Sequence, residues 1–173
     1  MSTECTLYRD VNYGGAKLTL SKEMSDLNQQ GFNDAASSAK VSGTPWIFYK
    51  DTSFMSTSYV VKPGSYPNPG SWGGQNDTLS SLRPLPSESA GDRGVIAIFE
   101  HTNYCGRMVV LTSSTADFTT IKFNDTASSL IVIKGRWTVF RDTNYQGDIG
   151  TYTAGAYVST LAPNDTMSSI RLN

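Results

Sequence analysis

Short strands separated by tight turns are the elements that the pattern of apolar and polar residues predicts. Lys17 to Leu20 alternates between polar and apolar positions, as expected of a strand with one buried face, and Leu130 to Ile133 is an apolar run of strand length. Ser25 to Phe32 has room for one helical turn, and no segment carries a longer helical period. Three or four such strands recur in each stretch of about 40 residues. This arrangement predicts an all-β fold built as a sandwich of sheets.

A motif of two aromatic residues occurs four times along the chain. The first aromatic is followed five positions later by a second, and two positions beyond that by a small residue. The copies are Tyr8, Tyr13 and Gly15; Tyr49, Phe54 and Ser56; Phe99, Tyr104 and Gly106; and Phe140, Tyr145 and Gly147. The glycine indicates a sharply folded hairpin, because such a turn requires a positive φ without a Cβ clash. Ser56 therefore predicts a hairpin that is either strained or differently shaped, and the aromatic residues are predicted to be core.

A second motif, Asn-Asp-x-x-Ser-Ser, follows each aromatic motif, and we call it the clamp. Its four copies span residues 33–38, 76–81, 124–129 and 164–169. Each copy supplies a carboxylate, a carboxamide, two hydroxyls and backbone carbonyls, which is the oxygen ligand set that Ca²⁺ prefers. Asn, Asp and Ser also form turns without any ion. A turn alone would accept Gly, Thr or Asn at the last two positions, so four copies ending in Ser-Ser favour calcium.

The spacing of the repeats predicts two domains. The interval between successive aromatic motifs is longest between the second and the third, and the stretch from Pro84 to Gly94 at that point is rich in Pro, Ser and Gly. We therefore predict an N-terminal domain over residues 1–86, a linker over 87–91 and a C-terminal domain over 92–173. Each part is long enough to build one modest core.

Composition excludes several classes of partner. The 14 basic and 15 acidic residues give a net charge of -1, which leaves no basic footprint for nucleic acid or for an anionic membrane. There is no apolar run of bilayer-spanning length, and Met1 to Cys5 does not resemble a signal peptide, so a cytoplasmic protein is expected. Cys5 and Cys105 match no metal or redox spacing, and reduced thiols are expected unless the fold brings them together.

The sequence offers little for catalysis. His101 is the single histidine and lies in a predicted hairpin turn, where a solvated side chain is the simpler interpretation. The sequence contains no nucleophile elbow, no phosphate-binding loop and no zinc-type cluster. No pair of carboxylates is singled out as an acid and a base, and we predict no enzymatic activity.

Taken together, the two motifs resemble those of the βγ-crystallin superfamily over essentially the whole chain. Tyr8 to Gly15 is similar to the folded hairpin of that family, and the clamps are similar to its calcium clamp. Gly64 to Pro69, followed by Trp72 to Gly74, resembles the segment that precedes the clamp in repeats with a corner tryptophan. The resemblance implies that each repeat is a four-stranded Greek key and that two repeats intercalate into one two-sheet domain. Because all four clamps are intact, the chain resembles the non-lens, calcium-binding branch.

The resemblance also implies four calcium sites, each built from both clamps of a domain. The first site would use the carbonyls of Arg9 and Ala35, the hydroxyl of Ser37 and the carboxylate of Asp77; the second, the carbonyls of Lys50 and Thr78 with Ser80 and Asp34; the third, Glu100, Thr126, Ser128 and Asp165; and the fourth, Arg141, Thr166, Ser168 and Asp125. The first residues of the clamps would brace the loops, namely Asn33, Asn76, Asn124 and Asn164.

Calcium is the only cofactor and partner that the sequence predicts. A monomer whose two domains pair within the chain is expected, without nucleic acid or membrane. One carboxylate per ion carries less charge than an EF-hand loop, so weaker binding is expected. Ser56 makes the second site the least secure of the four. The alternative is a structural or stress crystallin whose clamps bind calcium weakly or not at all.

Overall fold

The computed structural model describes residues 2–159 and 166–173 and consists of strands, short turns and 3-10 helices. The chain separates into two compact units, Met1–Leu85 (unit 1) and Pro86–Asn173 (unit 2). Each unit holds two antiparallel sheets. The prediction of an all-β protein built of two-sheet sandwiches is confirmed.

Unit 1 interlocks two repeats by exchanging strands. Its strands are β1 (Glu4–Tyr8), β2 (Lys17–Leu20), β3 (Ser38–Ser42), β4 (Trp46–Asp51), β5 (Met55–Val61), β6 (Gly64–Tyr66) and β7 (Ser81–Pro84). The sheet orders are β2-β1-β3-β6 and β5-β4-β7. Strand β6 belongs to the second repeat but pairs with β3 of the first. In return, Met24 of the first repeat forms a bridge with Leu82 in β7, so the third strand of this Greek key is reduced to one residue pair.

Unit 2 repeats this arrangement in the described part of the chain. Its strands are β8 (Val95–Phe99), β9 (Met108–Leu111), β10 (Ser129–Lys134), β11 (Trp137–Asp142), β12 (Gln146–Tyr152), β13 (Gly155–Tyr157) and β14 (Ser169–Leu172). The sheet orders are β13-β10-β8-β9 and β12-β11-β14. Strand β13 crosses to the sheet of the other repeat, and the Thr115–Ile170 bridge is the return contact. Both units therefore have the intercalated Greek-key topology that the resemblance implies.

Single turns of 3-10 helix connect the strands. They are Val11–Tyr13, Leu27–Gln30, Thr52–Phe54, Pro69–Trp72, Glu88–Ala90, Thr102–Tyr104, Phe118–Ile121 and Thr143–Tyr145. The one helical turn predicted after Ser25 is confirmed, and the Asp26 carboxylate caps it by accepting a hydrogen bond from the Asn28 amide at 2.9 Å. Among the described residues, no helix is long and apolar enough to cross a lipid bilayer.

A separate hydrophobic core fills each sandwich. In unit 1 the alternating residues Trp46 and Phe48 of β4 face Leu7 and Leu27, and all four side chains are fully buried. In unit 2 Trp137 occupies the corresponding position in β11. Burial of one such side chain stabilises a fold by about 1.5–3 kcal/mol. The period-two pattern of the sequence thus determines which strand faces point inward.

The aromatic pairs pack on each other at the folded hairpins. The prediction that they belong to the core is confirmed for Tyr49, Phe99, Tyr104 and Phe140, which are buried, whereas the other four rings are half-buried. Neither core cluster includes them. Tyr8 follows the buried Leu7 in β1 and so lies on the opposite face of the sheet. The rings meet edge to face, with centroid separations of 5.7 Å for Tyr8–Tyr13, 5.6 Å for Tyr49–Phe54, 5.5 Å for Phe99–Tyr104 and 5.8 Å for Phe140–Tyr145.

Ser56 adopts the backbone conformation of a glycine. Its φ is 72°, compared with 71° at Gly15, 75° at Gly106 and 67° at Gly147. The hairpin of the second repeat therefore keeps the shape of the other three and is strained, because an L-residue in this region brings its Cβ close to the backbone. Of the two outcomes that the sequence allows, the structure shows strain.

Replacement of Ser56 by glycine should therefore stabilise unit 1. The substitution removes the strain of a non-glycine residue at positive φ. Glycine also gives the unfolded chain more conformational entropy, which offsets part of that gain. We therefore expect a net increase of about 0.5–1 kcal/mol in the free energy of unfolding, measured by urea denaturation. Gly15→Ser is the matched control and should destabilise the same unit, since a Cβ there would lie 2.6 Å from Asp10 Oδ2. A loss of stability in Ser56→Gly would contradict the assignment of strain.

Both cysteines are buried free thiols. Cys5 is fully buried in unit 1 and Cys105 lies at the hairpin of unit 2, and no disulfide joins them. Burial, with a smaller contribution from the charge of Glu4, raises the pKa of the Cys5 thiol far above its ordinary value. The Cys5 thiol is therefore protonated and poorly reactive at neutral pH.

Candidate metal sites

Each clamp is fastened to the folded hairpin of its own repeat by a backbone hydrogen bond. The amide of the fifth clamp residue donates to the carbonyl of the first aromatic residue. The distances are 2.8 Å for Ser37 to Tyr8, 3.1 Å for Ser80 to Tyr49, 2.9 Å for Ser128 to Phe99 and 3.0 Å for Ser168 to Phe140. The residue after each aromatic supplies a predicted carbonyl ligand, so these bonds bring the liganding serine next to Arg9, Lys50, Glu100 or Arg141.

The sixth clamp residue holds the hairpin closed. Ser129 donates its hydroxyl hydrogen to the His101 carbonyl at 2.5 Å and accepts from the Tyr104 amide at 3.0 Å. Ser38, Ser81 and Ser169 make the same pair of bonds, with donations of 2.6 Å to Asp10, Asp51 and Asp142 and acceptances of 2.9, 3.1 and 3.1 Å from Tyr13, Phe54 and Tyr145. All four hydroxyls are buried. The last serine of the clamp is therefore explained by the hairpin, a role that the sequence analysis missed.

The two clamps of unit 1 lie side by side and exchange contacts. The Asp34 amide donates to the Leu79 carbonyl at 3.1 Å, and the Ser80 hydroxyl donates to Asp34 Oδ1 at 3.2 Å. Two predicted ligands of the second site, one from each clamp, are thus already in contact. Asp34 has a φ of 49° and Asp77 a φ of 53°, so both clamps pass through the left-handed region at the same position.

The first site of unit 1 has a different arrangement. The Ser37 hydroxyl donates to Asn76 Oδ1 at 2.9 Å and not to its predicted partner Asp77. Asn76 in turn donates through Nδ2 to Asp77 Oδ2 at 2.7 Å. The serine and the carboxylate predicted for this site are therefore linked through Asn76.

Unit 2 shows the same cross-clamp contact and one fuller cluster. Ser168 Oγ donates to Asp125 Oδ1 at 3.3 Å, matching the Ser80–Asp34 contact. Ser128 Oγ lies 2.9 Å from the Glu100 carbonyl oxygen and 3.4 Å from the Thr126 carbonyl oxygen, so three predicted ligands of the third site are gathered. The remaining ligand of that site, Asp165, and the bracing residue Asn164 lie outside the described residues.

The first clamp residue orients the carboxylate that follows it. Asn33, Asn76 and Asn124 donate through Nδ2 to Oδ2 of the next residue at 2.8, 2.7 and 2.6 Å. One carboxylate oxygen is thereby fixed in place, while the other is directed to the partner clamp in Asp34 and Asp125. In these three copies the asparagine braces the loop as the sequence predicts.

The remaining predicted ligands would act through their backbone carbonyls. The side chains of Arg9, Lys50 and Arg141 are exposed. Ala35, Thr78 and Thr166 occupy the third clamp position, and the Thr78 hydroxyl is used within the turn, where it donates to the Gln75 carbonyl at 3.0 Å.

The donor set is suited to a hard cation but is sparse in charge. Within residues 2–159 and 166–173, no three histidine, cysteine or acidic side chains come together. Each predicted site combines one carboxylate with carbonyl and hydroxyl oxygens, which fits Ca²⁺ better than a softer metal. Asn33 Oδ1, at the edge of the second site, is buried and accepts no hydrogen bond from the described residues. Such an atom usually has a partner that is absent from the protein itself.

The family to which these repeats belong is shown by a match over both units. The family described as Beta/Gamma crystallin matches residues 4–85 and 95–172. A Beta/gamma-crystallin of Ciona intestinalis is 51% identical over 77 residues, which covers 44% of this chain and 92% of that protein. The match is therefore to a single unit.

Other relatives match both units of the chain. Gamma-crystallin N of Mus musculus is 27% identical over 90% of this chain and 85% of its own length. An Epidermal differentiation-specific protein of Cynops pyrrhogaster is 30% identical over 95% of this chain, and the chain spans about half (48%) of that protein.

The solved structure of Geodin, a beta-gamma crystallin from Geodia cydonium, matches the whole chain with a TM-score of 0.74. Both chains are covered completely, at 19% identity, so this likeness concerns the fold alone. The folded hairpins, the exchanged strands and the family match over both units agree, and the chain belongs to the βγ-crystallin family.

Proposed function

We propose that this βγ-crystallin binds calcium at up to four sites formed by paired clamps, and that the ions stabilise the fold. The Ser80–Asp34 contact at 3.2 Å carries the proposal, because it joins the two clamps through a hydroxyl and a carboxylate that the family resemblance assigns to one ion. The Ser168–Asp125 contact at 3.3 Å repeats it in the other unit.

The ligand geometry around Ser128 supports the same function. Two backbone carbonyls lie within 3.4 Å of its hydroxyl oxygen, although the hydroxyl has only one hydrogen to donate. In the metal-free chain the Ser128 hydrogen is donated to the Glu100 carbonyl, so this hydroxyl, like that of Ser80, must turn before an ion can contact both oxygens. A calcium ion would satisfy the carbonyls and the hydroxyl together.

A calcium titration tests the proposal directly. Isothermal calorimetry on the metal-free chain should show saturable binding of several ions, and Ca²⁺ should displace a bound lanthanide probe. A variant with all four clamp aspartates (Asp34, Asp77, Asp125 and Asp165) replaced by alanine is the control and should bind nothing at the same concentrations. The absence of both heat and lanthanide competition at millimolar calcium would overturn the proposal.

The assignment of each aspartate to the ion of the partner clamp gives a second prediction. If each aspartate serves the ion held by the serine of the partner clamp, Asp34→Ala combined with Ser80→Ala should lose one ion per chain. Asp34→Ala combined with Ser37→Ala should lose two ions, because those residues belong to different sites. The stoichiometry from calorimetry distinguishes the two double variants. The opposite ranking would show that each clamp folds around its own ion.

The alternative function is that of a structural crystallin whose clamps bind calcium weakly or not at all. The observation in its favour is that the last serine of every clamp is consumed by the hairpin, so the repeated Ser-Ser is partly explained without metal. In either case we propose a non-enzymatic, monomeric protein, with calcium as its one small ligand if the clamps bind it. The titration above separates the two functions.

A further inference from the structure

A liganding serine can face a cation only if its hydrogen points elsewhere. A hydroxyl has one hydrogen to donate and two lone pairs to offer. In unit 1 the two liganding serines differ in this respect. Ser37 donates its hydrogen to Asn76 Oδ1, whereas Ser80 donates to Asp34 Oδ1.

The arrangement at Ser37 is compatible with an ion. Asn76 is not a predicted ligand, and it draws the Ser37 hydrogen away from Asp77, the carboxylate of the same site. Both lone pairs of Ser37 Oγ remain available. Asn76 also holds Asp77 through Nδ2 at 2.7 Å, so a single carboxamide orients both side-chain ligands.

The Ser80 and Asp34 ligands are brought together, but the Ser80 hydrogen must move before an ion can bind between them. Its hydrogen lies between Ser80 Oγ and Asp34 Oδ1, and both of these oxygens would have to contact the second ion. A cation cannot occupy that space while the hydrogen remains there. Binding therefore requires the hydroxyl to rotate towards a different acceptor.

Asn33 Oδ1 is the acceptor available to the Ser80 hydrogen. It is buried and receives no hydrogen bond from the described residues. It belongs to the carboxamide whose Nδ2 holds Asp34 Oδ2 at 2.8 Å, the same carboxylate that receives the Ser80 hydrogen. It also occupies the clamp position at which Asn76 serves Ser37. An unpaired buried oxygen destabilises the protein, so a state that satisfies it is favoured.

We propose that Asn33 is a positioning residue that accepts the Ser80 hydrogen when a calcium ion binds at the second site. Asn76 already has this role for Ser37, so the first site is pre-arranged and the second is switched by its ion. The switch exchanges one hydrogen bond, Ser80 to Asp34, for another, Ser80 to Asn33, and frees Asp34 Oδ1 for the ion. This inference rests on the proposed calcium function.

Two double-mutant cycles in the full chain test the proposal. One combines Asn76→Ala with Ser37→Ala, and the other combines Asn33→Ala with Ser80→Ala. Each is measured without calcium, from the unfolding equilibrium, and with calcium, from the dissociation constant of the affected site. A background carrying Asp125→Ala and Ser128→Ala removes the sites of unit 2 from the titration. Each asparagine also braces its aspartate. Ser37 is bonded to Asn76 and not to Asp77, so this contribution cancels in the first cycle, whereas Asp34 is bonded to both Asn33 and Ser80 and leaves a weak indirect coupling in the second.

Without calcium, Asn76 and Ser37 should be coupled by about 3- to 10-fold in the unfolding equilibrium constant, whereas Asn33 and Ser80 should show only the weaker coupling that passes through Asp34. With calcium, Asn33→Ala should lower the affinity of the second site by about tenfold, and the loss should disappear when residue 80 is alanine. Asn33→Asp retains an acceptor oxygen and should recover affinity relative to Asn33→Ala.

The outcomes separate this inference from the function on which it rests. A wild-type chain that binds no calcium overturns both. A wild-type chain that binds calcium while Asn33→Ala has the same effect with and without the Ser80 hydroxyl overturns the inference alone, because the asparagine then acts only through Asp34. Coupling of Asn33 to Ser80 in the calcium-free protein that is as strong as the coupling of Asn76 to Ser37 also overturns it.

Discussion

Calcium at one hundred times its dissociation constant should raise the free energy of unfolding of a unit by about 5 kcal/mol when both of its sites fill. Ligands from both repeats meet at each proposed site, so the ion binds only the folded unit and its binding free energy adds to stability. For a unit of this size the midpoint of thermal unfolding should rise by about 20 °C or more. Scanning calorimetry with and without calcium measures the shift.

The structure also predicts what calcium should leave unchanged. The clamps are already fastened to their hairpins and to each other by backbone bonds, such as Ser80 to Tyr49 and Asp34 to Leu79. The far-ultraviolet circular dichroism spectrum should therefore remain of the β type throughout a calcium titration. The variant Asp34→Ala with Asp77→Ala is the control and should lose the shift in unit 1 only. An unchanged midpoint at saturating calcium would contradict a stabilising role.

Ser129→Ala should destabilise unit 2 by about 2–4 kcal/mol in the absence of calcium. The buried Ser129 hydroxyl bonds the His101 carbonyl at 2.5 Å and the Tyr104 amide at 3.0 Å, and alanine leaves both groups unpaired. Tyr104 already holds a φ of 60°, so the hairpin depends on this serine to keep a strained turn closed. Urea denaturation of the metal-free chain measures the effect.

The neighbouring serine provides the matched control. Ser128 differs from Ser129 by one position, and its hydroxyl faces the proposed third site. Ser128→Ala should therefore lower calcium affinity while reducing calcium-free stability much less than Ser129→Ala. Equal losses of calcium-free stability in the two variants would show that the serines do not divide the structural and ligand-binding roles.

The elements that the sequence predicted correctly are those whose signal is local. Period two in Lys17 to Leu20 is a property of one strand, and the small residue at the end of each aromatic motif is a property of one turn. The reduced third strands were not predicted, since Met24 makes only one bridge and a single residue carries no period. Whether the hairpin at Ser56 is strained or differently shaped depends on the pairing of the flanking strands β4 and β5, which holds Ser56 at a positive φ. This constraint comes from the sheet and not from the local sequence.

The sequence alone does not show that the two serines of a clamp have different roles. Ser128 and Ser129 are chemically identical, and only the position of the hairpin, more than 20 residues earlier in the chain, decides which hydroxyl it uses. The contacts between clamps have the same origin. Asp34 and Ser80 are far apart in sequence, so their pairing was implied only by the family resemblance, whereas the all-oxygen ligand set could be inferred from composition.

Strand exchange within each unit limits which repeats a chain of this family can gain or lose and still fold. Because β6 completes the sheet of the first repeat and β13 that of the third, a repeat deleted alone would leave its neighbour with an incomplete sheet and half of each proposed ion site. Removal or duplication of both repeats of one unit leaves the other sheets complete. The segment that can be gained or lost without breaking the fold is therefore a pair of intercalated repeats. We expect folded relatives of this chain to differ in length by whole pairs of repeats.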